Sequence, residues 1–323
     1  MNQHIRTIAI LGAGAVGSYL VMGLSDKYKE NLWVIADGER KDRLAKNGLN
    51  INDKVYSLHV KTPAEAHGVD LLFVCTKYTQ LRDSLPDIET ITDEHTMVVS
   101  LLNGVDSEEL IGQRIGMEHM IYSLIRIASH RIGNSIHFSL PKGYNGIYIG
   151  IPNQPASQDP RLAAIAEIFA DTPVTLHLSD DILLDMWDKF GLNVSRNLPQ
   201  AILGAGVGCY RDSVHMKAIS DGLRKELMAI AAAKGIDLSI VDKNSGRGSA
   251  VPPDARYSTL QDIDAGRHTE IDMFSGALMR MGKELGIPTP YNEYTYHMIK
   301  ALEEKNDGLF DYSGKDQEPT WAK

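Results

Sequence analysis

The sequence predicts an α/β first half, built on a mostly parallel sheet with helices packed on it, followed by an all-α second half. Three observations carry this. Strand-like and helix-like patterns alternate from residue 7 to residue 178, as in doubly wound sheets. The first apolar run ends in a glycine-rich turn that opens a helix. After Leu178 the strand patterns stop and amphipathic helical segments take over. The chain has 323 residues, enough for two domains of ~150 residues, and the expected division is 1–175 and 176–323.

The elements follow in order. Thr7–Leu11 is an apolar strand. Gly12-Ala13-Gly14-Ala15-Val16-Gly17 is the turn, and Ser18–Tyr28 a helix. A G-x-G-x-x-G string between strand and helix marks a Rossmann-type dinucleotide-binding unit. Gly12 permits the tight turn, Gly14 lets a pyrophosphate approach the backbone, and Gly17 lets the helix pack closely. The first-turn N–H groups and the helix dipole then face the phosphates. Gly12, Gly14, Val16 and Gly17 are the expected cofactor contacts.

Asn31–Ala36 is the next strand, and Asp37 follows it, twenty residues after Gly17. An acidic residue there takes the ribose hydroxyls of NAD. Arg40, Lys41 and Arg43 come next. They either meet the 2′-phosphate of NADP or form a solvated helix face.

Val55–Val60 alternates as an edge strand. Val69–Cys75 is apolar throughout, as in a strand covered on both faces. Lys77 lies at its C-terminal end, where open α/β sheets bind ligands. Met97–Leu102 is another strand, and Asn103-Gly104 ends it at the same rim, either as a site residue or as a routine turn dipeptide. Met120–Ser129 and Ile147–Ile151 are strands joined through Ser135–Phe138. Arg161–Ala170 is a helix and Val174–Leu178 the last strand.

The second half holds helices over Asp180–Leu203, Val214–Lys234, Ser258–Leu285 and Thr289–Glu304, with a loop over Lys243–Arg256 and a polar tail after Lys305. Its apolar faces make a homodimer an open expectation.

Composition excludes several functions. Net charge is 33 − 42 = −9, which argues against a nucleic-acid surface. Charges are mixed, without a basic tract for a membrane surface, and no apolar run reaches the ~20 residues of a membrane-spanning helix. Ile8–Leu24 is apolar enough to suggest a signal peptide, but its four glycines at turn spacing belong to the first strand and helix, so a cytoplasmic location is expected. Cys75 and Cys209 read as buried thiols of a reducing compartment. The eleven histidines have no ligand spacing, so no metal is expected.

Lys189, Asn193 and Asn197 stand four apart, along one helix face. That stripe either faces water or forms a site. The segment around His268 and Glu270 offers two acid/base groups, and spacing does not choose between them.

These stretches resemble the ketopantoate reductases (2-dehydropantoate 2-reductases) over nearly the whole chain. The matching pieces are Ile10 to Gly17; Cys75-Thr76-Lys77; Leu102-Asn103-Gly104-Val105 with Glu108 and Glu109; Trp187 to Asn193; Ser258 to Asp262; and Thr269 to Asp272. The resemblance implies a Rossmann domain plus a helical domain, with the active site between them. It implies Lys189 as proton donor, and Asn193 and Asn197 as substrate-holding. It also implies Ser258 near the substrate carboxylate, Glu270 orienting the lysine and binding substrate, and Asn103 and Lys77 on the nicotinamide and cofactor side. The implied reaction is hydride transfer from NADPH to the C2 ketone of ketopantoate, giving pantoate for pantothenate and coenzyme A synthesis.

Two positions depart from the family pattern. Asp37 stands where many members carry an arginine for the NADP 2′-phosphate, which leans the local chemistry to NADH. Phe274-Ser275-Gly276 stands where Asn-Gly is frequent; Ser275 can hydrogen-bond but is shorter, which leaves the details of the substrate pocket there open. The competing readings are an NAD-dependent D-2-hydroxyacid dehydrogenase acting on bulkier 2-oxo acids, and a non-catalytic dinucleotide-binding sensor.

Overall fold

The fold was obtained as a computed structural model, which describes residues 4–139, 145–244 and 252–310. The polar tail from residue 311 and part of the loop expected over Lys243–Arg256 lie outside these. The chain forms two compact units, Met1–Trp187 and Asp188–Lys323.

In the first unit the strands and α-helices follow in the order β1 (Ile8–Leu11), α1 (Ala15–Tyr28), β2 (Leu32–Ile35), α2 (Gly38–Asn47), β3 (Leu49–Ile51), β4 (Lys54–Tyr56), β5 (His59–Lys61), β6 (Leu71–Val74), α3 (Tyr78–Ile91), β7 (Met97–Ser100), α4 (Ser107–Ile115), β8 (Met120–Arg126), β9 (Ala128–Ile132), β10 (Ser135–Ser139), β11 (Gly146–Gly150), α5 (Pro160–Phe169) and β12 (Leu176–Leu178). Among the described residues, eight strands form one sheet in the order β12-β11-β8-β7-β6-β1-β2-β5. Every pairing in it is parallel except β8 with β11.

The continuous apolar runs have a direct cause. Side chains alternate across a strand, and here both faces are covered. Ile8, Ile10, Leu71 and Phe73 enter one hydrophobic cluster, and Ala9, Leu11, Leu72 and Val74 enter another. All eight are buried.

Three expectations are corrected here. Val55–Val60 is not one edge strand: β4 belongs to a second, four-stranded sheet (β4-β3-β10-β9), and only β5 edges the main one. Ser135–Phe138 does not link the main strands. It lies within β10, which pairs antiparallel with β9 in the second sheet. The first unit also runs past residue 175. β12 pairs with β11 in the main sheet, the Ala156 N–H donates to Asp180 Oδ1 at 2.9 Å, and Ser179 Oγ donates to Asp185 Oδ2 at 2.6 Å. The units therefore part at 187/188, inside a helix that a cut near 175 would leave wholly in the second unit.

That helix is α6 (Ile182–Leu192). The chain continues through a π-helical turn, Asn193–Asn197, into α7 (Leu198–Leu203). Then follow α8 (Cys209–Asp212), α9 (Val214–Ala233), α10 (Ser239–Asn244), α11 (Ser258–Asp264), α12 (Ser275–Leu285) and α13 (Pro290–Asn306). The expected helix over Ser258–Leu285 is two helices. Gly266 at φ +63° breaks it, and residues 265–274 form a connection. The second unit packs around α7 and the π turn, which contact α9, α11 and α13.

Neither cysteine is in a disulfide. Cys75 is buried, as expected; Cys209 is only half-buried.

Candidate active site

Because β7, β6, β1 and β2 run parallel and adjacent, their C-terminal ends share one rim. The chain leaves these ends at Asn103, Lys77, the glycine turn and Asp37 respectively. With neighbouring strands ~4.8 Å apart, the four positions span about 14 Å. Asp37 stands at one end, the turn and Lys77 between, and Asn103 at the other. Lys77 is exposed and Asn103 half-buried.

The glycines have distinct physical reasons. Gly12 has φ +109°, and a Cβ there would stand 2.6 Å from the carbonyl carbon of Cys75. The end of β6 thus presses on the turn, a closeness the motif alone does not reveal. A Cβ on Gly17 would overlap the carbonyl oxygen of Gly12 and press on Ile10. Around Gly14 nothing lies within 4 Å of the Cβ position, so the space a side chain would fill is open. Gly14 is also the N-cap of α1. It offers no side-chain acceptor, and the first turn carries no acidic residue. The first N–H groups of a helix lack intrahelical acceptors, so this end suits an anion. Beside the turn, the buried Oγ1 of Thr76 has no hydrogen-bond partner. The open cradle, the bare helix end and this unspent hydroxyl fit the pyrophosphate of a dinucleotide. Val16 is half-buried in the first turn.

At the Asp37 end the charges are acidic. Asp37 is exposed at the N-cap of α2 and makes no side-chain cap. Burial, and then the charge of Asp37, raise the carboxyl of Asp87 from its ordinary value. Lys41, one of the three basic residues considered for a 2′-phosphate, is paired with Glu65 at 2.6 Å. Glu65 is held in turn by the Thr62 N–H at 2.7 Å, and these contacts hold its carboxyl low, at about 2. Arg40 and Arg43 are exposed on α2.

A buried acid lies five residues beyond Asn103 in the chain. Glu108, in the first turn of α4, is 1% exposed. Burial raises its carboxyl to about 8, against weaker opposing hydrogen bonds. Ser107 Oγ donates to Glu108 Oε2 at 2.9 Å, and Ser107 meets Ser100 Oγ at 2.8 Å. Glu108 Oε1 has no partner, which suits a neutral acid.

In the second unit, the polar stripe is not a solvated face. Lys189 is half-buried near the end of α6. Asn193 and Asn197 are 7% and 4% exposed. The π turn widens the helix here, and Asn197 Nδ2 donates to Asn193 Oδ1 at 3.2 Å. Pro199 supplies a reason for the π turn: a proline removes one ladder N–H and crowds the carbonyl four residues back, here that of Ser195. Ser195 Oγ donates to the carbonyl of Gly191 at 2.7 Å. Asn197 Oδ1 is buried without a partner. A buried, unspent amide oxygen is costly unless something binds it.

Gln200 continues the stripe and was missed from sequence. It is fully buried. It donates to the Ala255 carbonyl at 2.9 Å and accepts from the Tyr257 N–H at 2.8 Å. This ties the chain entering α11 to α7. Ser258, exposed, follows immediately as the first residue of α11, which packs on α7 and the π turn. The three-residue step from Asn197 to Gln200 was the available signal, since i,i+3 positions share a helix face.

Glu270 is half-buried in the 265–274 connection. Its neighbour His268 is exposed and turned to carboxylates of α13 and its end, Asp307 at 2.9 Å and Glu303 at 3.8 Å. The place of Ser275 follows from its packing. It is fully buried and donates to Asn292 Oδ1 at 3.0 Å, whose Nδ2 donates to Glu226 at 2.7 Å. Ser275 therefore works in the core of the helical unit. Among the described residues no cluster of three or more metal-ligating side chains occurs, and no helix is long and apolar enough to cross a membrane.

The chain is similar to known proteins along most of its length. Residues 8–154 match the family model described as ketopantoate reductase PanE/ApbA, and residues 181–303 match its C-terminal model. The 2-dehydropantoate 2-reductase of Mesorhizobium japonicum is 24% identical, with 91% of this chain and 97% of that protein covered. The crystal structure of a PanE/ApbA family ketopantoate reductase from Ralstonia eutropha superposes with a TM-score of 0.76 at 25% identity, covering 93% of this chain and 99% of the other. A D-mandelate dehydrogenase in ternary complex with NADH and anilino(oxo)acetate superposes with a TM-score of 0.79, at the same identity and coverage. The chain belongs to the ketopantoate reductase family of NAD(P)-dependent oxidoreductases.

Proposed function

We propose that this protein is a 2-dehydropantoate 2-reductase that reduces the C2 ketone of ketopantoate to the alcohol of pantoate, using NADH in preference to NADPH. The observation that carries the reading is the buried asparagine pair. Asn193 and Asn197 lie four and eight residues after Lys189, and Asn197 Oδ1 is left without a partner. Such a pair can donate and accept at once, which suits the adjacent oxygen functions of a 2-oxo acid.

The roles follow by chemistry. Gly12, Gly14, Val16 and Gly17 receive the pyrophosphate, Asp37 the adenosine ribose, and Lys77 and Asn103 the nicotinamide half. When bound, the reduced nicotinamide supplies a hydride. Lys189, as the ammonium, balances the alkoxide that forms at C2 and gives it a proton. Asn193 and Asn197 hold the substrate oxygens, Ser258 stands near the carboxylate, and Glu270 orients Lys189. The same reading carries a cytoplasmic location, in keeping with two thiols outside any disulfide.

The preference for NADH rests on charge. Asp37 and Asp87 place negative charge at the adenosine end, and Glu65 occupies Lys41. The same observation favours a second reading, an NAD-dependent D-2-hydroxyacid dehydrogenase for bulkier 2-oxo acids, because the D-mandelate dehydrogenase neighbour carries NADH. One assay separates them: absorbance at 340 nm with NADH and NADPH, against ketopantoate and a panel of branched and aromatic 2-oxo acids. Efficient reduction of ketopantoate supports the first reading. Turnover of the bulkier acids without ketopantoate supports the second. No oxidation with any pair sinks both and leaves a dinucleotide-binding sensor.

A further inference from the structure

Glu270 is carried by a stretch with no regular structure. Residues 265–274 join α11 to α12 through Gly266 at φ +63°. A catalytic constellation must be held to within ~0.5 Å, and loops hold side chains less well than helices unless a second set of contacts fixes them. Among the contacts that fix this loop, Arg267 pairs with Asp262 of α11 at 2.8 Å and Arg280 of α12 donates to the Asp272 carbonyl at 3.2 Å, while the bonds on either side of Glu270 come from one face of α13.

On the N-terminal side of Glu270, the carboxylate of Glu303 accepts from the Thr269 N–H at 2.7 Å and from Thr269 Oγ1 at 2.6 Å. Thr269 Oγ1 also accepts from the Ile271 N–H at 3.2 Å, bridging over Glu270. Glu303 and Thr269 are 3% and 2% exposed, so these bonds are shielded from water. On the C-terminal side, Asp272 accepts from Tyr296 OH and from Lys300 Nζ, both at 2.8 Å. Lys300 Nζ also lies 3.4 Å from Glu303 Oε2, which joins the two clamps. Tyr296, Lys300 and Glu303 are spaced i, i+4, i+7 and share a face of α13. Glu270's own carbonyl accepts from the Met273 and Phe274 N–H groups at 3.0 and 3.2 Å.

We infer that Glu303 and Lys300 are positioning residues that hold Glu270 in its working geometry, through Thr269 on one side and Asp272 on the other. The inference rests on the reading that Glu270 takes part in the reaction. Glu303 is buried within the helical unit and acts through the loop it grips.

A double-mutant cycle tests it, with whichever of ketopantoate or phenylglyoxylate the protein reduces with NADH. Glu303→Ala lowers kcat ten- to a hundredfold, while KM for NADH stays within about twofold. Glu303→Gln, which keeps an acceptor for Thr269, recovers most of kcat. In a Glu270→Gln background, already slow, adding Glu303→Ala changes kcat less than threefold, because the residue it positioned has lost its function. A merely structural Glu303 would cost the same factor in both backgrounds. That result, or an unchanged kcat in Glu303→Ala, overturns the inference and leaves Glu270's role standing. Full activity in Glu270→Gln alone overturns the reading of Glu270 and the inference with it. If Glu303→Ala does not fold, Lys300→Met carries the same cycle, since Lys300 is about one-third exposed.

Discussion

Replacing Asp37 with asparagine should shift the enzyme from NADH toward NADPH, and the size of the shift can be worked out. Asp37 makes no helix cap, so the change removes no structural bond and leaves a good N-cap residue in place. In the reading above the carboxylate faces the ribose 2′ position. A unit negative charge ~5 Å from it costs roughly 0.8 kcal/mol at a dielectric of 80 and roughly 3 kcal/mol at 20. Asp37 is exposed, so the lower part of that range applies, about 1–2 kcal/mol, or a five- to thirtyfold change in ratio. The assay is kcat/KM for NADH and for NADPH in wild type and Asp37→Asn. The NADPH value should rise, and the NADH value should fall a few-fold as a charged acceptor becomes neutral. Adding Glu65→Gln frees Lys41 from its 2.6 Å pair and should raise NADPH use further. A wild type that prefers NADPH, or a ratio unmoved in Asp37→Asn, would refute the reasoning.

Other outcomes are expected together. Lys189→Ala should lower kcat by about two to four orders of magnitude with a milder effect on cofactor binding; near-normal turnover would remove the lysine from the mechanism. Gly17→Ala drives a Cβ into the carbonyl of Gly12, and should weaken dinucleotide binding at least tenfold in a fluorescence titration. Glu108→Gln should change the pH dependence of stability. A buried acid raised from 4.5 to about 8 stabilises the fold fully below pH 4.5 and loses that contribution as pH rises through 8. Denaturant titrations should therefore show wild type losing up to roughly 5 kcal/mol across that window, and the glutamine variant losing much less. Glu226→Ala removes an acceptor for the Tyr291 and Asn292 N–H groups, at 2.7 and 3.0 Å, where α13 begins. It should cost about 3–5 kcal/mol of stability, read from thermal or urea unfolding.

Much of the main sheet was legible because its physics is local. The runs at Ile8–Leu11 and Leu71–Val74 are apolar at every position, since both faces are buried, and that pattern survives in any context. The small sheet was not legible. β3, β4, β9 and β10 are three to five residues long, and β10 pairs with β3 across more than eighty residues of chain. Nothing local marks such a partner. The helix expected over Ser258–Leu285 had the right periodicity at both ends, but Gly266 and the turn at Glu270 divide it.

The sequence alone determined the glycine turn, the acidic residue twenty positions on, and the lysine–asparagine stripe, because each is a spacing rule along one backbone. Tertiary structure decided what surrounds each one. Strand order put Asn103, Lys77, the turn and Asp37 on one rim. Packing buried Asn193 and Asn197 and left Asn197 Oδ1 unspent. Glu65 paired with Lys41, the network with Asn292 and Glu226 drew Ser275 into the core, and α13 gripped the loop that carries Glu270. Burial, charge pairing and long-range hydrogen bonds depend on residues distant in the chain, so they appear only when the chain is folded.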